Sequence, residues 1–135
     1  NMKYGELIID KKEYDLLIRS ISGSHNSGDT VFKESVAKLS SELKSAKIVS
    51  KNIPEDIIRF NSVVTICTAF NVEKQYQIVT PEKSDILQNK ISILSPMGLA
   101  LFGYAQDDEI VWQFPSGLST IKIVKVSQSE SKVEI

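Results

Sequence analysis

Apolar residues recur at different periods in the two halves of the chain. In the first half, Tyr14, Leu17, Ile18 and Ile21 fall at i, i+3, i+4 and i+7, the stripe of an amphipathic helix. Asp10 precedes the stripe and suits an N-cap. Glu13, three residues on, completes a capping-box pattern. Gly23, Ser24, Asn26, Ser27 and Gly28 are turn formers, so the helix should stop near Ser22-Gly23, with a loop running to about Asp29. Asp29 or Thr30 then caps a second helix, along which Phe32, Val36, Leu39, Leu43 and Ala46 repeat at heptad spacing. The two helices would be roughly 18 and 27 Å long. Facing stripes predict a short antiparallel helical hairpin, with pairing to a partner chain as the alternative use of the same stripe.

Ile53-Pro54-Glu55-Asp56-Ile57-Ile58 reads as a linking turn of helix with Pro54 in its first turn. The period then changes to two. Ser62–Phe70 and Lys74–Thr80 read as a strand hairpin, and Lys90–Leu94 as a third strand. Glu109–Phe114 and Leu118–Ser127 are two more, joined by the turn Pro115-Ser116-Gly117. Between them, Ser95 is a good N-cap, Pro96 a good first helical residue, and Gly103 a helix stop. Helices followed by strands give an α+β class. The expected organisation is a helical hairpin over residues 1–52, a sheet-bearing domain over 53–127, and a polar, Ser-rich tail over 128–135 that frays.

Composition excludes more than it assigns. The 135 residues carry a formal net charge of −1, which argues against nonspecific nucleic-acid affinity as the main task. Cys67 is the single cysteine, so a disulfide framework and a Cys-rich zinc site are both excluded. No apolar run approaches a membrane span, and the first residues lack a signal peptide's apolar stretch, so a cytoplasmic location is the expectation. Asn1 before Met2 reads as the remnant of an expression tag. His25, the one histidine, lies in the helix–helix loop with no acidic, Cys or His cluster beside it, so it reads as neither ligand nor base. Cys67 lies in a strand pattern and reads as a small buried hydrophobe rather than a nucleophile. Neither GxGxxG, GxxxxGK[ST] nor GxSxG is present. The expectation is no catalytic residue, no metal and no cofactor.

One segment carries more information. Ser95, Pro96, Gly98, Ala100, Leu101, Gly103, Asp108, Pro115 and Gly117 follow a strand and keep fixed spacings. The combination resembles the C-terminal domain of the GreA/GreB transcript elongation factors. Their pattern is Ser-Pro-x-Gly-x-Ala-Leu-x-Gly, then Gly-Asp, a strand and Pro-x-Gly. Asp107 departs from it, standing where the family usually has Gly; Asp tolerates positive φ better than most residues. Within the family, the regulators of nucleoside diphosphate kinase resemble this chain more closely. They share Pro54, Asp56, Ile57, Ile58, Asn61, Ser62 and Val64, and the Val79-Thr80-Pro81 segment followed by Lys83 and Asp85. The resemblance covers residues 53–126 well and the hairpin only in kind.

The resemblance implies an FKBP-like antiparallel sheet with one short helix behind the hairpin. It also implies a bacterial regulator that binds RNA polymerase at the rim of the secondary channel, competes with Gre factors there, and meets nucleic acid only indirectly. Leu94, Ser95, Pro96 and Met97 join a strand end to a helix start and are the candidate docking residues. In the Gre factors, carboxylates at the hairpin tip help hold a catalytic Mg²⁺, which favours oxygen ligands. Here the tip, Ser22 to Asp29, has one carboxylate, Asp29, which also serves as a helix cap, so no transcript cleavage is expected. Two other readings stand beside this one. One is an interaction module acting on nucleoside diphosphate kinase or another partner. The other is a peptidyl-prolyl isomerase, drawn from fold alone, which does not carry function.

Overall fold

Local sequence signals set most of the element boundaries. A computed structural model describes residues 3–23, 30–114 and 116–128. In chain order the elements are β1 (Ile8–Asp10), α1 (Lys11–Ser22), α2 (Thr30–Leu43), β2 (Lys47–Val49), β3 (Val63–Thr68), β4 (Glu73–Val79), β5 (Lys90–Ser92), α3 (Pro96–Leu101), β6 (Glu109–Phe114) and β7 (Gly117–Ser127). The class is α+β.

Asp10 caps α1, its carboxylate accepting from the Lys12 and Glu13 amides at 2.9 and 3.1 Å. Glu13 does not use its carboxylate in a capping box. It is only 5% exposed. It accepts from Arg59 through Nε at 2.7 Å and also through Nη2, and from the Phe60 amide at 3.0 Å. A long-range ion pair thus replaces the local bond that the spacing predicted.

β3 to β7 form one sheet in the order β5-β4-β3-β7-β6. Its pairings are antiparallel except β4 with β5, which is parallel. The expected all-antiparallel sheet is therefore mixed. The connection 80–89 carries the chain back along the sheet edge, so β5 runs beside β4 in the same direction. Alternation places Val64, Ile66, Ile78, Ile91, Ile110 and Ile121 on one buried face. β7 holds one extra residue opposite β3: Val64 pairs with Val126, but Ile66 pairs with Ile123. The bulge leaves both Val124 and Lys125 exposed and returns Val126 to the core.

The helices differ from the expected hairpin. α2 lies against α3, while α1 lies against β1 and β2. Their buried residues Leu17 and Leu39 join one core with Val64, Leu99 and Phe102, so the core crosses residue 52. A heptad stripe says that one face is apolar; it does not say what covers that face. α2 also ends at Leu43, and Ala46 sits in a turn before β2 rather than on the stripe. β1 and β2, a parallel pair of three residues each, carry no readable period. Ile53–Ile58 makes a single turn, with the Ile57 amide on the Pro54 carbonyl at 3.4 Å, and not a helix. Gln128, the first residue of the expected tail, donates its side-chain Nε2 to the Glu55 and Ile57 carbonyls at 2.9 and 2.7 Å. The rest of that tail, His25 and Asp29 lie outside the described residues.

Candidate docking surface

The segment from Ser92 to Gly98 is held by its own short polar side chains. The Ser92 Oγ accepts from the Leu94 amide at 2.9 Å. The Ser92 carbonyl accepts from the Ser95 amide at 2.9 Å and from the Ser95 hydroxyl at 2.6 Å. Ser95 in turn caps α3, its Oγ accepting from the Gly98 amide at 3.1 Å. A Cβ at position 98 would stand 2.3 Å from the Ser92 carbonyl oxygen. Gly98 is therefore the residue that lets α3 close onto the end of β5.

These bonds separate the four candidate docking residues by role. Ser95 is committed to the cap. Leu94 and Met97 are half-buried and pack against the core. Pro96 is exposed at the first turn of α3. Two concavities meet at Pro96. One, of about 410 Å³, lies among Phe32, Pro81, Ser84, Ser92 and Leu94. The other, of about 320 Å³, lies between α2, α3 and β6, with Leu39, Leu99, Ala100, Val111 and Trp112 on its walls. The contribution of α2 to this surface was not legible in the sequence, because the hairpin reading turned its apolar side toward α1.

The remaining pattern residues also have structural causes. Asp107 takes φ +75°, the conformation that the usual Gly would supply, and its amide donates to the Ile123 carbonyl at 2.7 Å. Asp108 is 2% exposed. Its carboxylate accepts from the Ala105 amide at 2.9 Å and from the Lys3 amide, closing the turn into β6. Gly103 takes φ +85° with its α-carbon side facing Leu7, and Gly117 takes φ +124° in the β6–β7 turn. Gly98, Gly103 and Asp108 thus serve the scaffold, while Pro96 and Asp107 are exposed among the described motif residues; Pro115 lies outside the described residues.

Two further polar contacts fix the frame. The Tyr104 hydroxyl donates to Glu42 and ties α2 to the turn after α3. Burial, and then that carboxylate, push the Tyr104 phenol well above its ordinary range. At the other end, Asp56 accepts from Lys3 Nζ and from the Tyr4 hydroxyl at 2.8 Å. Burial alone would raise Asp56, but these two donors outweigh it and hold the carboxyl below the usual range. Among the described residues, no group of three or more His, Cys, Asp or Glu side chains is placed to hold a metal. Cys67 is half-buried, not in the core as its strand pattern indicated. It lies beside Glu73 and Lys122 across the sheet. No helix is long and apolar enough to cross a membrane among the described residues.

Residues 53–128, which hold all of the motif from Ser95 to Gly117, match the family described as "Transcription elongation factor, GreA/GreB, C-term". The chain belongs to the GreA/GreB family. It is 34% identical over 96 residues to a transcription elongation factor GreA of Clostridium botulinum, covering 70% of this chain and 60% of that protein. It is 36% identical over 93 residues to the GreA of Pelobacter propionicus, covering 67% of this chain and 59% of that one. The chain thus spans about three-fifths of the length of these GreA proteins. A solved structure described as a prokaryotic transcription elongation factor GreA/GreB from Nitrosomonas europaea is similar over 90% of this chain and 98% of that one. Its TM-score is 0.71 at 30% identity. The Ser92–Gly98 segment lies within the matched region, and Pro96 on its exposed crest is the candidate docking point.

Proposed function

We propose that this chain binds RNA polymerase at the secondary-channel rim, competes there with Gre factors, and does not itself support transcript cleavage. The observation that carries the docking assignment is the rigid Ser92–Gly98 turn, which holds Pro96 exposed between two concavities within the family-matching region. The family resemblance supplies polymerase as the partner, and the closer likeness to the regulators of nucleoside diphosphate kinase favours a regulator over a cleavage factor. The absence of cleavage is supported by the sequence 22–29 that links the two helices, where Asp29 is the single carboxylate. The family resemblance implies more than one carboxylate at the tip of a cleavage factor, and this segment has one. α1 and α2 are also short, at 12 and 14 residues, or roughly 18 and 21 Å.

Pro96→Asp tests the docking point, because an acidic residue is tolerated at the start of a helix. The variant should keep the wild-type urea midpoint and bind core RNA polymerase at least about tenfold more weakly. Equal affinity would remove Pro96 from the interface. Shortening of the transcript in backtracked complexes above the rate of polymerase alone would refute the cleavage-inactive assignment.

A further inference from the structure

The two edges of the five-stranded sheet are finished differently. At one edge, β5 is three residues long, begins with Lys90, and is closed by Asp85, whose amide and carbonyl exchange bonds with Lys90, both at 2.9 Å. At the other edge, β6 runs for six residues without lysine, proline or a shift in register against β7. Short length, charge and cover are the usual means of keeping a sheet edge from pairing with another chain. β6 carries only Glu109, at its first position. α2 packs against α3 and leaves a cavity of about 320 Å³ between itself and Val111, Trp112 and Gln113, so it does not close the edge.

The hydrogen bonds of β6 alternate, and their phase is set at its start. The Ile123 amide donates to the Asp108 carbonyl at 2.9 Å. Counting on by twos, Ile110, Trp112 and Phe114 bond to β7, while Glu109, Val111 and Gln113 turn their N–H and C=O groups outward. Among the described residues, none of these outward groups has a hydrogen-bond partner. All three residues are exposed, Val111 by 53%. A row of alternating donors and acceptors fits an extended main chain. A helix has already used its own groups internally.

This row also fits itself. We infer that two copies of the chain pair through β6, antiparallel and centred on Val111, joining their sheets into one. In that register Val111 stands opposite Val111 of the second copy, and Glu109 stands opposite Gln113. Each outward residue then exchanges both of its bonds, no like charges face each other, and the exposed valines cover one another. Sliding the strands by two residues leaves one outward residue of each copy unpaired. The contact is isologous, so it closes as a dimer and does not propagate.

The test is sedimentation equilibrium of the full chain from about 10 µM to about 1 mM, comparing wild type with Val111→Lys and Val111→Glu, each alone and mixed in equal amounts. Position 111 is exposed, so both variants should keep the wild-type urea midpoint. Wild type should form a reversible dimer, half-associated at about 100 µM, because edge pairing buries less than the roughly 1,200 Å² of a standard interface. Each variant alone should associate about five- to tenfold more weakly, because like charges then meet at the axis and the valine contact is lost. The equal mixture should recover association, because Lys then faces Glu. Wild type that stays monomeric at every concentration overturns self-pairing and leaves the edge to a strand of another protein. A wild-type dimer that both variants retain places the contact on another face and overturns it too. Monomeric variants whose mixture stays monomeric overturn the Val111 register.

Discussion

Gly98→Ala tests the geometry on which the docking surface depends. The new methyl would stand 2.3 Å from the Ser92 carbonyl oxygen, 3.1 Å from the Ile93 α-carbon and 3.1 Å from Ser95 Oγ. A comfortable carbon–oxygen contact needs roughly 3.3 Å, so α3 and the end of β5 must part by about 1 Å. Overpacking of this kind costs about 1–3 kcal/mol. Weakening the Ser95 cap adds about 1 kcal/mol, and the better helix propensity of Ala returns about the same amount. The net expectation is a loss of about 1–3 kcal/mol, or roughly 1–2 M in the urea midpoint at a common slope for a chain this size. Polymerase affinity should fall as well, because Pro96 moves with the start of α3. Gly23→Ala is the control. Its φ is −82° and the added carbon meets only the Arg19 carbonyl, at 3.3 Å, so it should lie within about 0.5 kcal/mol of wild type. A Gly98→Ala protein with the wild-type midpoint and wild-type affinity would refute the close approach of α3 to Ser92 as the reason for glycine there.

Three other variants address the frame. Glu13→Ala leaves the Phe60 amide without its acceptor and Arg59, whose side chain is 34% exposed, without its closest carboxylate. Urea unfolding should show a loss of about 2–3 kcal/mol, mostly from the amide because Arg59 keeps solvent contact, and a loss under 0.5 kcal/mol would deny the contact its role. Asp107→Gly removes strain at φ +75° and should raise Tm by about 2 °C, roughly 0.5 kcal/mol after the entropy of a freer unfolded chain is deducted; a lower Tm would contradict it. Tyr104 has a raised folded pKa, so its contribution is complete below its unfolded value near 10 and is lost as pH rises above that. Tyr104→Phe should therefore flatten the fall in urea midpoint between about pH 10 and 12, and an identical alkaline profile would count against the Tyr104–Glu42 bond.

What the sequence revealed follows the range of the interactions involved. Asp10 and Ser95 were legible as caps because a cap is written in three or four consecutive residues. The five sheet strands were legible because alternation is local. The turn at Asp107 was legible only through the family motif, which has Gly at that position, together with the tolerance of Asp for positive φ. Glu13 was misread because nothing near it in sequence points to Arg59, 46 residues away. The stripe on α2 was seen, yet its contact with α3 rather than a hairpin partner depends on tertiary packing. β1 and β2 are too short to show a period, and the parallel turn of β5 is set by the path of the connection before it. The docking candidates were found as a group through the family motif, but their separation into a cap, two packing residues and an exposed proline came from hydrogen bonds and burial.

The central claim is occupancy of one polymerase site shared with Gre factors. The most direct measurement is binding of the purified full chain to core RNA polymerase while GreA is titrated in as competitor. The account predicts mutually exclusive binding, with the chain displaced fully as GreA saturates the enzyme. Simultaneous binding of both proteins, or no binding of this chain at all, would contradict it.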